Sequence, residues 1–182
     1  MAVTHIAFLR AINVTGRFIK MVDLAEHFRA LGCEDVSTHI QSGNVMFNAA
    51  SLAAGDIASS LASELEQGLA PRLGFTAEVF LRTPAELAAI LARAEAAAVD
   101  LAPPGEVNVV FLPQPLSAEQ QTQLAALRTE QDDLHHHGSE VYWRCLVRQS
   151  ASKFSNSVVE RRLRLRATLR RTSMLRGLLA TL

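Results

Sequence analysis

Cysteine, tryptophan and tyrosine are scarce in this chain of 182 residues, and each scarcity excludes something. The two cysteines, Cys33 and Cys145, lie far apart and form neither a metal-type spacing nor a disulfide framework. The opening, MAVTHIAFLRAIN, has no basic n-region, and Arg10 and Asn13 interrupt its apolar run, which argues against a secretory signal. Both thiols are therefore expected to be reduced, in a cytoplasmic protein. No apolar stretch approaches the roughly 18–20 residues that a membrane span requires. One Trp and one Tyr leave little aromatic surface for stacking nucleic-acid bases. The P-loop, the G-x-G-x-x-G fingerprint and the H-E-x-x-H zinc motif are all missing, so these motifs identify no cofactor and its identity stays unknown.

Net charge is also missing, with 18 cationic against 18 acidic side chains. The balance hides an asymmetry. Between Arg144 and Arg176 ten Lys or Arg stand against one acid, Glu160, which leaves eight cations and seventeen acids elsewhere. Such a split suits a basic face meeting an anion, a nucleic acid, or acidic groups of the same molecule. What is plentiful is apolar side chain, at 49%, enough to bury the core of one domain or of two small subdomains.

Periodicity supplies the architecture. Val3 to Leu9 reads as a buried strand, and Asn13 to Arg17 as a loop. Met21, Leu24, Ala25, Phe28 and Leu31 make one apolar helix face, with Asp23 and Glu26 as an N-terminal capping box and Gly32 as the stop. Val36 to Gln41 and Val45 to Asn48 form a hairpin around Ser42-Gly43. A helix from about Ile57, capped by Asp56, should kink or end at Pro71, and Thr76 to Leu81 is a fourth strand. This β-α-β-β-α-β order is ferredoxin-like. Thr83-Pro84-Ala85-Glu86 starts a connecting helix, and Pro103-Pro104-Gly105 is linker-like. The order then repeats: a strand over Val107 to Leu112, a helix capped by Ser117-x-x-Gln120, a hairpin over Leu134 to Trp143 turning at Gly138-Ser139, and a helix from near Ser152. A last helix runs from Met174 to Leu182. The expected fold is α+β, with two ferredoxin-like halves from an internal duplication, antiparallel sheets and helices packed on them. Residues 1–82 form the first subdomain, 83–105 the connection, and 106–182 the second subdomain.

Polar side chains concentrate where a bare connection would not need them. Arg10, Asn13, Arg17 and Lys20 follow the first strand, and Gln41, Ser42 and Asn44 surround the first hairpin turn. Ser152 and Lys153 stand where the helix of the second half is expected to begin, a position that favours anions. Arginine forks and a lysine charge suit phosphate or carboxylate, although a solvated loop and a self-capping turn need the same residue types.

Leu9-Arg10-Ala11-Ile12-Asn13-Val14, the stretch Ile40 to Val45, and Ser152-Lys153-Phe154 with Asn156 and Glu160 together resemble the bacterial DUF1697 proteins of unknown function. The likeness covers nearly the whole chain, and it implies no chemistry because that family has no assigned activity. Departures occur at Ala11 and Thr15, where relatives tend to carry glycine. They also occur at Ala167 to Met174, where relatives tend to read ATxRNWNT. Side chains at 11 and 15 reduce access to a cradle of backbone amides.

Other patterns carry less. Ser150-x-x-Lys153 with Ser42-x-Asn44 is similar to the motifs of penicillin-recognising enzymes, but their order is wrong and Lys-Thr-Gly is absent. Of His135-His136-His137 only the outer two share a strand face, and neither carboxylate nor cysteine completes a ligand pattern, so no metal site is assigned. Two functional expectations follow. One is a small anionic ligand (nucleotide, phosphate or carboxylate) held in a cleft between the halves. The alternative is a nucleic-acid partner for Arg161, Arg162, Arg164, Arg166, Arg170 and Arg171.

Overall fold

The structure, a computed structural model, describes residues 2–14, 16–50 and 57–182. Asp56, expected to cap the second helix, and Thr15 lie outside the described residues, as does the side chain of Ile57. The chain forms two compact units, Met1–Ala85 and Glu86–Leu182.

In the first unit the elements are β1 (Ala2–Leu9), α1 (Met21–Arg29), β2 (Glu34–Thr38), β3 (Asn44–Ala50), α2 (Ile57–Leu73) and β4 (Val79–Arg82). The sheet is antiparallel with order β2-β3-β1-β4, so each helix crosses over one intervening strand. Ala7, Leu9, Val45, Phe47, Val79 and Leu81 alternate onto one face. Leu24 and Phe28 of α1 and Leu65 and Leu69 of α2 cover them, with the Phe28 and Phe47 rings 5.3 Å apart. Ile6, Phe8, Met46 and Phe80 on the other face are buried too, which explains why β1 reads as a continuous apolar run.

Local details differ from the sequence expectation. Lys20, not Asp23, is the N-cap of α1, and it makes no side-chain capping bond. Asp23 lies inside the first turn, where its charge complements the helix dipole, and Glu26 pairs with Arg29 at 2.6 Å. β2 stops at Thr38 because Ile40 has φ of 49°, which no strand accommodates. Pro71 does not end α2. It falls in the last turn, where only one carbonyl loses its donor, and the helix closes at Gly74, whose φ is 76° and whose N–H bonds Ala70 O. β4 starts at Val79, opposite Leu9, where pairing with β1 begins.

In the second unit, α3 (Pro84–Ala96, nearly all of it) precedes β5 (Glu106–Phe111), α4 (Ala118–Ala125), β6 (Asp132–His137), β7 (Glu140–Cys145), α5 (Asn156–Leu163), β8 (Thr168–Arg171) and α6 (Thr172–Leu179). The sheet order β6-β7-β5-β8 matches that of the first unit. Val110, Leu112, Leu134, Val141 and Trp143 pack under Leu124, Phe154, Val159 and Leu163. Buried Asp132 anchors this core, accepting from Trp143 Nε1 at 2.8 Å and Ser152 Oγ at 2.7 Å.

The duplication holds at the level of register. Leu9 N–H donates to Gly43 O, and Leu112 N–H donates to Ser139 O. Phe8 faces Asn44 and Phe80, while Phe111 faces Glu140 and Thr168. Arg82 and Arg170 occupy the same position, opposite Ile6 and Val109, and donate to the carbonyls of Leu81 and Leu169. α3 and α6 each begin two residues beyond that arginine. The repeat thus includes β8, a strand inside the arginine-rich stretch that periodicity does not predict, and a helix that starts at Thr172 rather than Met174.

The Ser117 capping box forms in both directions, and Gln120 Nε2 also donates to Leu163 O at the end of α5. Ser117→Ala should lower stability in urea by about 1 kcal/mol. Gln120→Glu, normally a neutral exchange in such a box, should cost about 1–3 kcal/mol, because a carboxylate then meets the Leu163 carbonyl.

Candidate functional site

Beyond Leu9 the chain turns away from the sheet, and Arg10 N–H makes one last strand-like bond to Glu78 O. Ala11 and Asn13 both have positive φ, at 57° and 55°. A tight turn closes with Arg17 N–H on Val14 O and Asn13 N–H on Arg17 O. The Asn13 side chain then works in two directions, accepting from Ile19 N–H at 2.9 Å and donating to Gln41 O at 3.0 Å. That second bond ties the β1–α1 loop to the β2–β3 turn.

The turn itself, residues 39–43, is held from inside. Asn44 is fully buried, and its Nδ2 donates to His39 O and to Ser42 Oγ. Gly43, at φ of 70°, passes directly over the loop: a Cβ there would lie 2.9 Å from Ile12 Cβ and 3.2 Å from Leu9 Cβ. Ile40 is a β-branched residue held at positive φ and largely exposed. Ala11, Asn13 and Ile40, three of the five non-glycine residues at positive φ among the described ones, thus lie in this loop and turn; asparagine accepts that conformation, while Ala11 and the β-branched Ile40 are strained by it.

The floor of that region is an open cleft of about 880 Å³, lined by Asn13, Phe18, Lys20, Gln41, His27 and Arg72 among others. Of the residues picked out in the sequence, Asn13, Lys20 and Gln41 share it. Arg10 instead pairs with Glu78 at 3.1 Å, and the Arg17 guanidinium lies 5.3 Å over the Phe75 ring. Ser42 and Asn44 hold the turn. Arg72 and Phe18 were missed: Arg72 reaches the cleft only because the last turn of α2 meets the first turn of α1, and no local pattern announces that meeting.

The helix expected to start near Ser152 begins at Asn156, because Gln149–Ala151 forms a short 3-10 turn first. Ser152 Oγ is engaged with Asp132 and accepts from Phe154 N–H, so this serine fastens the loop. Phe154 packs on Trp143 with centroids 4.7 Å apart, while Asn156 and Glu160 hold the carbonyl and the N–H of Ala167. Lys153 is exposed.

Among the C-terminal arginines, Arg161, Arg162, Arg164, Arg166 and Arg171 are exposed. Arg170 is not. Its guanidinium donates to Thr168 Oγ1 and Leu169 O, and burial pulls its pKa down to about 10, which still leaves it charged at neutral pH. Arg170, expected among the nucleic-acid contacts, is therefore buried away from any such partner. Other cations pair with acids of the same unit, as Arg176 does with Glu95 at 2.8 Å.

His135 meets Asp133 at 2.8 Å, and Arg128 and Arg144 lie 3.5 and 3.7 Å from the same carboxylate. Burial pushes the Asp133 carboxyl up, but the hydrogen bond and charge of His135, with Arg128, hold it below the ordinary value of 3.8. Its contribution to stability is thus present above that value and lost as pH falls through the lowered pKa. Asp133→Asn should cost no more than about 1 kcal/mol at neutral pH, and its urea midpoint should converge on wild type well below pH 3.8. Cys33 and Cys145 are buried free thiols, and burial raises the Cys33 pKa to about 11.

The fold and the cleft define an α+β protein made of two repeats, with an open cleft of mixed polar and apolar lining at one sheet end of the first. Residues 2–142 match the model of the family described as Protein of unknown function (DUF1697), and the chain belongs to that family. A solved structure, the conserved bacterial protein SP0830 from Streptococcus pneumoniae, is similar in fold, with a TM-score of 0.77 at 21% identity. The alignment covers 100% of this chain and 98% of that one. No curated protein matches the chain. Among the described residues no helix is long and apolar enough to cross a membrane.

Gly43→Ala should lower stability by about 2–4 kcal/mol, combining a strained φ with the contact on Ile12. Gly32→Ala, whose φ is 87° but whose Cβ would meet nothing within 4 Å, should cost only the backbone part, about 1–2 kcal/mol. Urea midpoints of the two variants measure the difference.

Proposed function

We propose that the first unit binds a small anionic ligand, bearing a phosphate or carboxylate, in the cleft at the N-terminus of α1. The observation that carries this reading is an uncapped helix start opening beside two cations. The first-turn N–H groups of Met21, Val22 and Asp23 have no intrahelical acceptor, and the Lys20 side chain supplies no cap. Lys20 and Arg72 line the same cleft, against a single carboxylate, Asp23. Helix-terminal N–H groups, a guanidinium and an ammonium are the donors that a phosphate selects. Two or three charge-assisted hydrogen bonds, at about 1.5–3 kcal/mol each, support millimolar to micromolar binding after ordering costs. Asn13 positions the loop, and Gln41 offers a carboxamide at the rim.

The test is ligand-induced stabilisation across a panel of phosphorylated metabolites and nucleotides. A ligand at a hundred times its Kd should raise stability by about 2.7 kcal/mol. Lys20→Ala and Arg72→Ala should each remove most of that gain and leave the melting temperature without ligand unchanged. A gain that survives both substitutions refutes the reading.

A second reading concerns Arg161, Arg162, Arg164 and Arg166, all exposed within a six-residue window. As a nucleic-acid surface they provide phosphate contacts alone, so affinity should fall steeply with salt and irrespective of sequence. Elution from heparin below physiological ionic strength refutes it.

A further inference from the structure

We infer that the ligand of this cleft joins a planar ring to its anionic group, and that Phe18 is the surface on which the ring lies, as in a nucleoside monophosphate. This rests on the anion-binding reading of the same cleft.

Three observations carry it. Phe18 is 75% exposed, the largest exposure of any aromatic residue among the described ones, yet it belongs to a fastened segment. On its C-terminal side Ile19 N–H is held by Asn13 Oδ1, and on its N-terminal side Arg17 is held through Val14 O and the Phe75 ring. An aromatic ring kept in water on a fixed backbone loses little entropy when a flat group covers it.

Size is the second. About 880 Å³ is far more than one phosphate occupies and lies in the roughly 300–1,000 Å³ range of sites for whole small molecules. Ile19, Met21 and Leu73 add apolar lining to the same cleft, which suits the uncharged part of such a molecule.

The third is Gln41. It is exposed at the rim, and among the described residues its carboxamide bonds no protein group and is open to solvent or ligand, whereas both polar atoms of the neighbouring Asn13 side chain are engaged. A carboxamide carries donors and an acceptor together, the combination that matches the edge of a nucleobase. Ring, edge and phosphate thus each find a complementary group in one cleft.

Binding of inorganic phosphate, ribose 5-phosphate, adenosine, AMP and UMP to the intact chain, by calorimetry, tests this. One purine and one pyrimidine suffice because every base presents a π-face. AMP and UMP should bind about 5- to 100-fold more tightly than ribose 5-phosphate. Phe18→Ala should reduce both nucleotides to the ribose 5-phosphate level and leave ribose 5-phosphate unchanged, while Phe18→Tyr retains the preference. Lys20→Ala should weaken all the phosphate compounds together. Equal binding of ribose 5-phosphate and the nucleotides, or an equal loss for both in Phe18→Ala, overturns the stacking inference and leaves the anion site standing. Binding of adenosine without any phosphate compound overturns the anion site, and absence of binding by all five overturns both.

Discussion

One backbone hydrogen bond organises the first unit: Leu9 N–H to the carbonyl of Gly43, where the β2–β3 turn crosses the exit of β1. Only a residue without Cβ can sit there, since any side chain would run into Ile12. Once the turn is pinned, Asn13 reaches Gln41, Ile19 is held to Asn13, and Lys20 is delivered to the start of α1. The cleft is what remains between that clamp and the end of α2. The second unit repeats the bond as Leu112 to Ser139, yet the two connections at this end are shorter. Residues 138 and 139 suffice to join β6 to β7, whereas residues 39–43 join β2 to β3. The link from β5 to α4 likewise spans residues 112–117, against 10–20 in the first unit. Duplication kept the scaffold, and at this sheet end the first copy has the longer loops, a usual place for a binding site on a rigid frame.

What could be read in the sequence was what is locally encoded. The Ser117–Gln120 box, the Pro84 helix start and both hairpins follow from short-range residue chemistry, and the structure has them. The meeting of Asn13 with the Gln41 turn was legible at one remove, because the hairpin had to neighbour β1 in such a sheet. Arg72 was not legible at all: it lies past a proline, more than fifty residues from Lys20, and only helix packing brings it in. Ser152 misled because serine before a helix resembles a cap, while here its hydroxyl is drawn to buried Asp132. β8 was hidden by its arginines. An edge strand tolerates them on the outward face, and Arg170 satisfies its own burial through neighbouring acceptors.

The family motifs take on a physical meaning from these contacts. Leu9, Ile12, Asn13, Gly43 and Asn44 make the clamp, and Ser152, Phe154, Asn156 and Glu160 fasten the passage into α5 and out towards β8. Most of the resemblance therefore describes how the two repeats are closed. Lys20, Gln41, Phe18 and Arg72 line the cleft beside the clamp, and the proposed ligand site is built on them. Charge counting overstates the free basic surface of the second unit, because Arg170 is buried and Arg176 is paired with Glu95.

The central claim is that the clamp presents the α1 N-terminus to an anion. Titration of inorganic phosphate into nitrogen-15-labelled protein, followed amide by amide, tests it most directly. The account predicts saturable shifts of the Met21, Val22 and Asp23 amides and of the Gln41 side-chain NH2, with the rest of the first unit nearly still. Saturable shifts centred on Lys153 or on Arg161 to Arg166, with α1 unmoved, would contradict it.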